Sequence, residues 1–124
     1  QSKFCTIWEI QKEFNWFPAK KILINKDFKE KLQQAFAEIE KAGIQGEIKT
    51  FDGCYNDRSV RGKSSKSLHA WAAAIDLNAS TEKLSQNNTH WSDKFISIME
   101  NSGVYWGGRF KNRKDNMHFS LLNG

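Results

Sequence analysis

The sequence predicts an α+β fold, a small antiparallel sheet with helices packed on one side. Three observations carry this reading. Phe28, Leu32, Ala35, Phe36 and Ile39 recur at helical spacing within residues 27–42. Phe95, Ile96 and Met99 do the same within residues 92–100. Short apolar stretches with turn residues between them fall around these two helices. The resulting order, helix–strand–strand–helix–strand–strand, suits an antiparallel sheet with segregated helices.

Taken from the N-terminus, residues 1–20 read as an arm that reaches a turn near Pro18, the only proline. Residues 21–25 read as a short strand. Asn25-Lys26-Asp27 offers a helix N-cap, and Gly43 ends the helix. Lys29, Glu30, Lys31 and Glu38 form its polar face. Residues 46–51 alternate weakly and read as a strand, with Asp52-Gly53 as a turn. Residues 54–66 are polar and read as a loop. Residues 68–77 are apolar, and their alanines favour helix by propensity. Residues 78–89 read as loop. Residues 104–106 and 117–122 read as strands, with a turn at Gly107-Gly108.

The 124 residues fit a single domain, 1–124. Five Trp and nine Phe supply material for a core and for the wall of a cleft. No apolar run approaches the ~20 residues of a membrane helix. Residues 1–8 show no secretory-signal pattern. The net charge of +5 favours polyanionic partners, among them nucleic acid and anionic cell-wall polymers. The charges are spread along the chain, without a nucleic-acid motif, so no nucleic-acid partner is expected. Cys5 and Cys54 are too far apart for a C-x-x-C site and leave two free thiols or one disulfide open.

Chemistry concentrates around the histidines, of which there are three: His69, His90 and His118. His69 lies seven residues before Asp76, and His118 three residues after Asp115. Imidazole nitrogen and carboxylate oxygen are zinc ligands, and a catalytic zinc takes three of them and leaves one position open. Two histidines and one carboxylate supply that set, and a second carboxylate can serve as base. Each pair also has a plainer reading. A histidine before an apolar segment is commonly a hydrogen-bonded structural residue, Asp76-Leu77-Asn78 can cap a turn, and D-x-x-H arises by chance. A spacing of seven puts two side chains on one face of a helix but on opposite faces of a regular strand. On the residues alone, the reading stops at a possible metal site. His90, in Thr89-His90-Trp91, reads as structural or surface.

Together these segments resemble the VanY-like zinc peptidases, which include D-Ala-D-Ala carboxypeptidases, L-alanyl-D-glutamate endopeptidases and phage endolysins. The family pattern S-x-H-x-x-G-x-A-x-D is met by Ser67-Leu68-His69 and Ala74-Ile75-Asp76, and its D/E-x-x-H by Asp115-Asn116-Met117-His118. Gly103-Val104-Tyr105-Trp106-Gly107-Gly108 resembles the family's G-x-x-W-G-G turn, and Arg58 an arginine that precedes the first ligand in one subgroup. The likeness runs over about residues 21–119. One position departs: the family's Gly falls at Ala72, where an alanine would strain the loop or narrow the cleft but removes no ligand.

The resemblance implies a hedgehog/D-Ala-D-Ala peptidase-like fold with zinc in a cleft on the sheet, and a strand rather than a helix at residues 68–77. It implies Zn2+ held by His69, Asp76 and His118, Asp115 as general base, and Arg58 on the scissile carbonyl. Ser67, Tyr105 and Trp106 would contact substrate. The implied activity is hydrolysis of an amide in peptidoglycan stem peptides, as carboxypeptidase or endopeptidase. A monomer acting in the periplasm or at the cell wall is expected, from a host or a phage. The competing reading is a non-catalytic wall-binding or phage structural module on the same fold.

Overall fold

The computed structural model describes residues 5–53, 73–82, 88–110 and 114–122. In chain order the elements are β1 (Cys5–Trp8), α1 (Ile10–Glu13), β2 (Ile22–Asn25), α2 (Lys26–Lys41), β3 (Phe51–Gly53), β4 (Ala74–Leu77), α3 (Asp93–Asn101), β5 (Tyr105–Trp106) and β6 (His118–Ser120). Short 3-10 turns occupy Gln45–Glu47 and Gly107–Arg109. The fold is α+β. An antiparallel pair, β1-β2, stands beside an antiparallel four-stranded sheet of order β3-β4-β6-β5.

The periodicity of α2 does what it predicts. Phe28, Leu32, Ala35, Phe36 and Ile39 are all fully buried. Asn25 caps the helix, its Oδ1 accepting from the backbone N–H of Asp27 (2.8 Å) and Phe28 (3.2 Å). Gly43 follows the helix at φ +76°, a left-handed conformation that glycine adopts without a Cβ clash. Helix α3 starts at Ser92, whose Oγ accepts from Phe95 N–H (3.1 Å).

Residues 1–20 are more than an arm. Strand β1 pairs with β2 from Cys5↔Asn25 to Trp8↔Ile22. Trp8, Ile10, Phe14 and Phe17 then enter the core. Phe36 of α2 sits among their rings, 5.8 Å from Phe14 and 5.6 Å from Phe17 between centroids. The sequence hides this because the apolar residues fall on a four-residue strand, a one-turn helix and a loop, none long enough to show a period.

Residues 46–51 do not form the expected strand. A strand needs its backbone groups paired in a ladder, and here side chains take them instead. The Asn78 carboxamide accepts from Lys49 N–H (2.8 Å) and Thr50 N–H (3.0 Å). The Glu47 carboxylate caps the start of α3 through Ser92 N–H (2.9 Å) and Oγ–H (2.6 Å). Pairing begins only at β3, and Asp52-Gly53 belongs to that strand rather than to a turn. Phe51 faces Leu77 and Gly53 faces Asp76, so Asp52 is the extra residue of a bulge. Its Oδ2 accepts from Ala79 N–H (2.8 Å).

Within residues 68–77, the described part is a strand, β4, against the helical propensity of its alanines. Ala73 and Ala74 are buried (4% and 0% exposed), so burial between layers overrides propensity. Gly107-Gly108 forms the expected turn after residues 104–106, in 3-10 geometry.

Candidate metal centre

The central pairing of the larger sheet builds the site. Asp76 of β4 and His118 of β6 are direct cross-strand partners. Side chains alternate along a strand. Ile75, Leu77 and Phe119, each fully buried, therefore anchor the opposite face in the core. Asp76 and His118 share the other face, 25% and 8% exposed at the side chain.

Asp115 joins them from the turn before β6. His118 N–H donates to Asp115 O (3.0 Å), closing the turn, and Asp115 N–H donates to Gly107 O (3.0 Å). Leu77 N–H donates to Met117 O (2.9 Å), tying the turn to β4. His118 Nδ1 lies 3.8 Å from Asp76 Oδ1 and 4.0 Å from Asp115 Oδ2. One ligand atom from each of the three residues falls within 4.8 Å of the others.

Gly107 permits this approach. A Cβ there would stand 2.3 Å from the Asp115 carbonyl oxygen and 3.0 Å from the Cβ atoms of Asp115 and His118. At Gly108 a Cβ would meet the Trp106 indole at 2.3 Å. The two glycines thus let one turn pack against the site and the other indole.

The donor set suits a metal ion. Imidazole and carboxylates are borderline and hard donors that divalent ions accept. Tetrahedral donors about 2.0–2.2 Å from zinc stand about 3.3 Å from one another. The His118 Nδ1–Asp76 Oδ1 separation of 3.8 Å is close to that spacing.

Of the expected site residues, the structure brings Asp76, Asp115 and His118 together. Arg58, Ser67 and His69 lie outside the described residues, as do Ala72 and Cys54. Tyr105 stands opposite Ser120, two residues along β6 from His118, and so on the same sheet face. It is 47% exposed. Tyr105 also lines a groove of about 960 Å3 with Glu30, Lys31, Val104 and Leu122, but none of the three clustered residues does. Trp106 is part of the core, 8% exposed. Cys5 is buried, 7% exposed. His90 stands apart from the cluster, with Nδ1 3.1 Å from Thr81 O and its backbone N–H donating to the buried Glu82 carboxylate (2.8 Å).

Sequence reasoning missed the supports. Asn78 follows Asp76 by two residues at φ 57°, a region where Asn is among the better tolerated side chains. Its amide donates to Glu47 O (2.6 Å) while its Oδ1 holds residues 49 and 50. On the outer side, Arg109 pairs with Glu100 (3.0 Å) and lies 5.2 Å over the Trp106 ring. The hydrogen bonds that Arg109 donates to the Glu100 carboxylate raise its pKa above the usual value.

No curated protein matches the chain. Residues 61–121 match the sequence model of a family described as D-alanyl-D-alanine carboxypeptidase, a segment that contains Asp76, Asp115 and His118. Over residues 61–121, then, the chain is similar to the VanY-like D-alanyl-D-alanine carboxypeptidases.

Proposed function

We propose that the protein is a zinc-dependent peptidase that hydrolyses an amide bond in peptidoglycan stem peptides. The observation that carries this reading is the convergence of Asp76, Asp115 and His118 inside the family-matched segment. In this reading Asp76 and His118, with His69 as third ligand, hold Zn2+. Zinc bound there would supply Lewis acidity, lowering the pKa of a bound water toward ~7 and polarising a carbonyl.

The chain's own residues do the rest. Asp115 accepts a proton from the attacking water and returns it to the departing amine nitrogen. Its carboxylate is suited to this, being 4.0 Å from His118 Nδ1 on a residue whose backbone N–H and C=O are both hydrogen-bonded. Arg58 offsets the negative charge that builds on the carbonyl oxygen. Ser67 and Tyr105 orient the stem peptide. The site of action is the cell wall.

The test separates the base from the ligands. Asp115→Ala is expected to keep zinc and to lower turnover of a stem peptide by about 10²-fold or more, the ordinary worth of a positioned base. Asp76→Ala is expected to lose zinc and turnover together. Metal content by mass spectrometry and peptide hydrolysis by chromatography read both. Undiminished turnover in Asp115→Ala refutes the assigned base.

A further inference from the structure

Asn116 sits between Asp115 and His118 and is 1% exposed. Its backbone carbonyl accepts two indole N–H groups, from Trp91 (2.9 Å) and from Trp106 (2.8 Å). A carbonyl oxygen has two lone pairs, and two separate parts of the chain fill them. Trp91 precedes α3, and Trp106 ends β5. Both rings are braced. Trp91 stacks on Phe95 (4.3 Å between centroids, 12° between planes) and meets Phe119 edge-on at 5.6 Å. Trp106 lies under the Arg109 guanidinium. The Asn116 amide adds a bond to Asn88 O (3.2 Å).

We infer that Trp91 and Trp106 are positioning residues for the metal centre. By clamping the Asn116 carbonyl they fix the turn that presents Asp115 and His118, and so set the affinity for a divalent ion. Rotation of the Asn116 peptide would swing these two residues relative to each other and to Asp76. A buried carbonyl stripped of donors is also costly, so the turn is held in one orientation by what it would lose. This inference rests on the metal-binding reading above.

The test uses the full chain and zinc alone. Groups that orient metal ligands typically account for 10–100-fold in affinity. Trp91→Phe and Trp106→Phe, which keep a ring but remove the donor, are each expected to weaken zinc binding about 10-fold, and the double variant about 100-fold or more. Trp8→Phe is the control. Trp8 is equally buried (3% exposed), and its indole donates to Glu13 (3.1 Å), away from the turn. It is expected to lower stability and leave zinc affinity of the folded protein unchanged.

Affinity is read by competition with a chromophoric chelator, below the unfolding temperature of each variant. Wild-type affinity in both single variants, or an equal loss in Trp8→Phe, overturns the inference. A wild-type chain without zinc affinity overturns the metal reading itself, and this shows before any substitution is made. Should a variant fail to fold, hydrogen exchange of the indole N–H groups in the wild type decides. Coupling between two sites is reciprocal, so zinc is expected to slow exchange at Trp91 and Trp106 more than at Trp8. Equal slowing at all three overturns the inference.

Discussion

At the scale of single residues, the site shows which roles a sequence reveals. Asp76, Asp115 and His118 stand out because their side chains carry the chemistry, and the structure gathers those three. Asn78, Asn116 and Trp91 do not stand out, because they act through a left-handed backbone, a main-chain carbonyl and an indole partner 25 residues away. These exist only once the chain has folded. Asn78 offers a way to weigh its two contributions. Its three side-chain hydrogen bonds to residues 47, 49 and 50 are worth about 1 kcal/mol each, and its positive φ about 1 kcal/mol more in an alanine. Asn78→Ala is therefore expected to cost about 4 kcal/mol and Asn78→Gly about 3 kcal/mol. Denaturant unfolding measures both, and a glycine variant as stable as wild type would show that φ alone matters. Gly107→Ala is expected to cost about 1–3 kcal/mol by overpacking and to weaken zinc binding, since the new Cβ falls on the Asp115 carbonyl. Unchanged calorimetric affinity for zinc would contradict the close approach drawn for Gly107.

At the scale of elements, length decides what could be read. Helix α2 repeats its apolar stripe from Phe28 to Ile39, about three turns, and α3 carries a shorter one from Phe95 to Met99, so both are legible with their caps. The strands have two to four residues, too few for alternation to declare itself. Pairing partners and captured backbone groups set their bounds instead, as Asn78 and Glu47 do for residues 46–50. The N-terminal segment shows no period in the sequence, yet it supplies four large core side chains. Removing residues 1–20 takes away β1 and the buried Trp8, Ile10, Phe14 and Phe17. Losing one large core aromatic costs about 3–5 kcal/mol, against a whole-domain stability of about 5–15 kcal/mol. The truncated chain is expected not to fold, as circular dichroism and one-dimensional NMR would show. A cooperatively melting truncated chain would restore the arm as an accessory. Replacing the α2 cap, Asn25→Ala, is a smaller change, expected at about 1 kcal/mol by thermal unfolding.

At the scale of the whole molecule, the α+β class was legible from the order of elements. The division into a two-stranded and a four-stranded sheet was not, because it depends on which strands meet. The net charge of +5 acts at this scale too. Attraction to an anionic wall should weaken as the screening length falls from about 10 Å at 0.1 M salt to about 3 Å at 1 M. Sedimentation with purified walls across that range checks it, and salt-insensitive binding would remove charge from the account. The central claim is that a metal held at Asp76 and His118 makes this chain a wall peptidase. Digestion of purified peptidoglycan, with and without a metal chelator, tests it most directly when the released fragments are weighed by mass spectrometry. Peptide fragments are expected whose release stops with chelator and returns with zinc, their masses naming the bond cut. Release indifferent to the chelator, or none from protein with zinc bound, would contradict it.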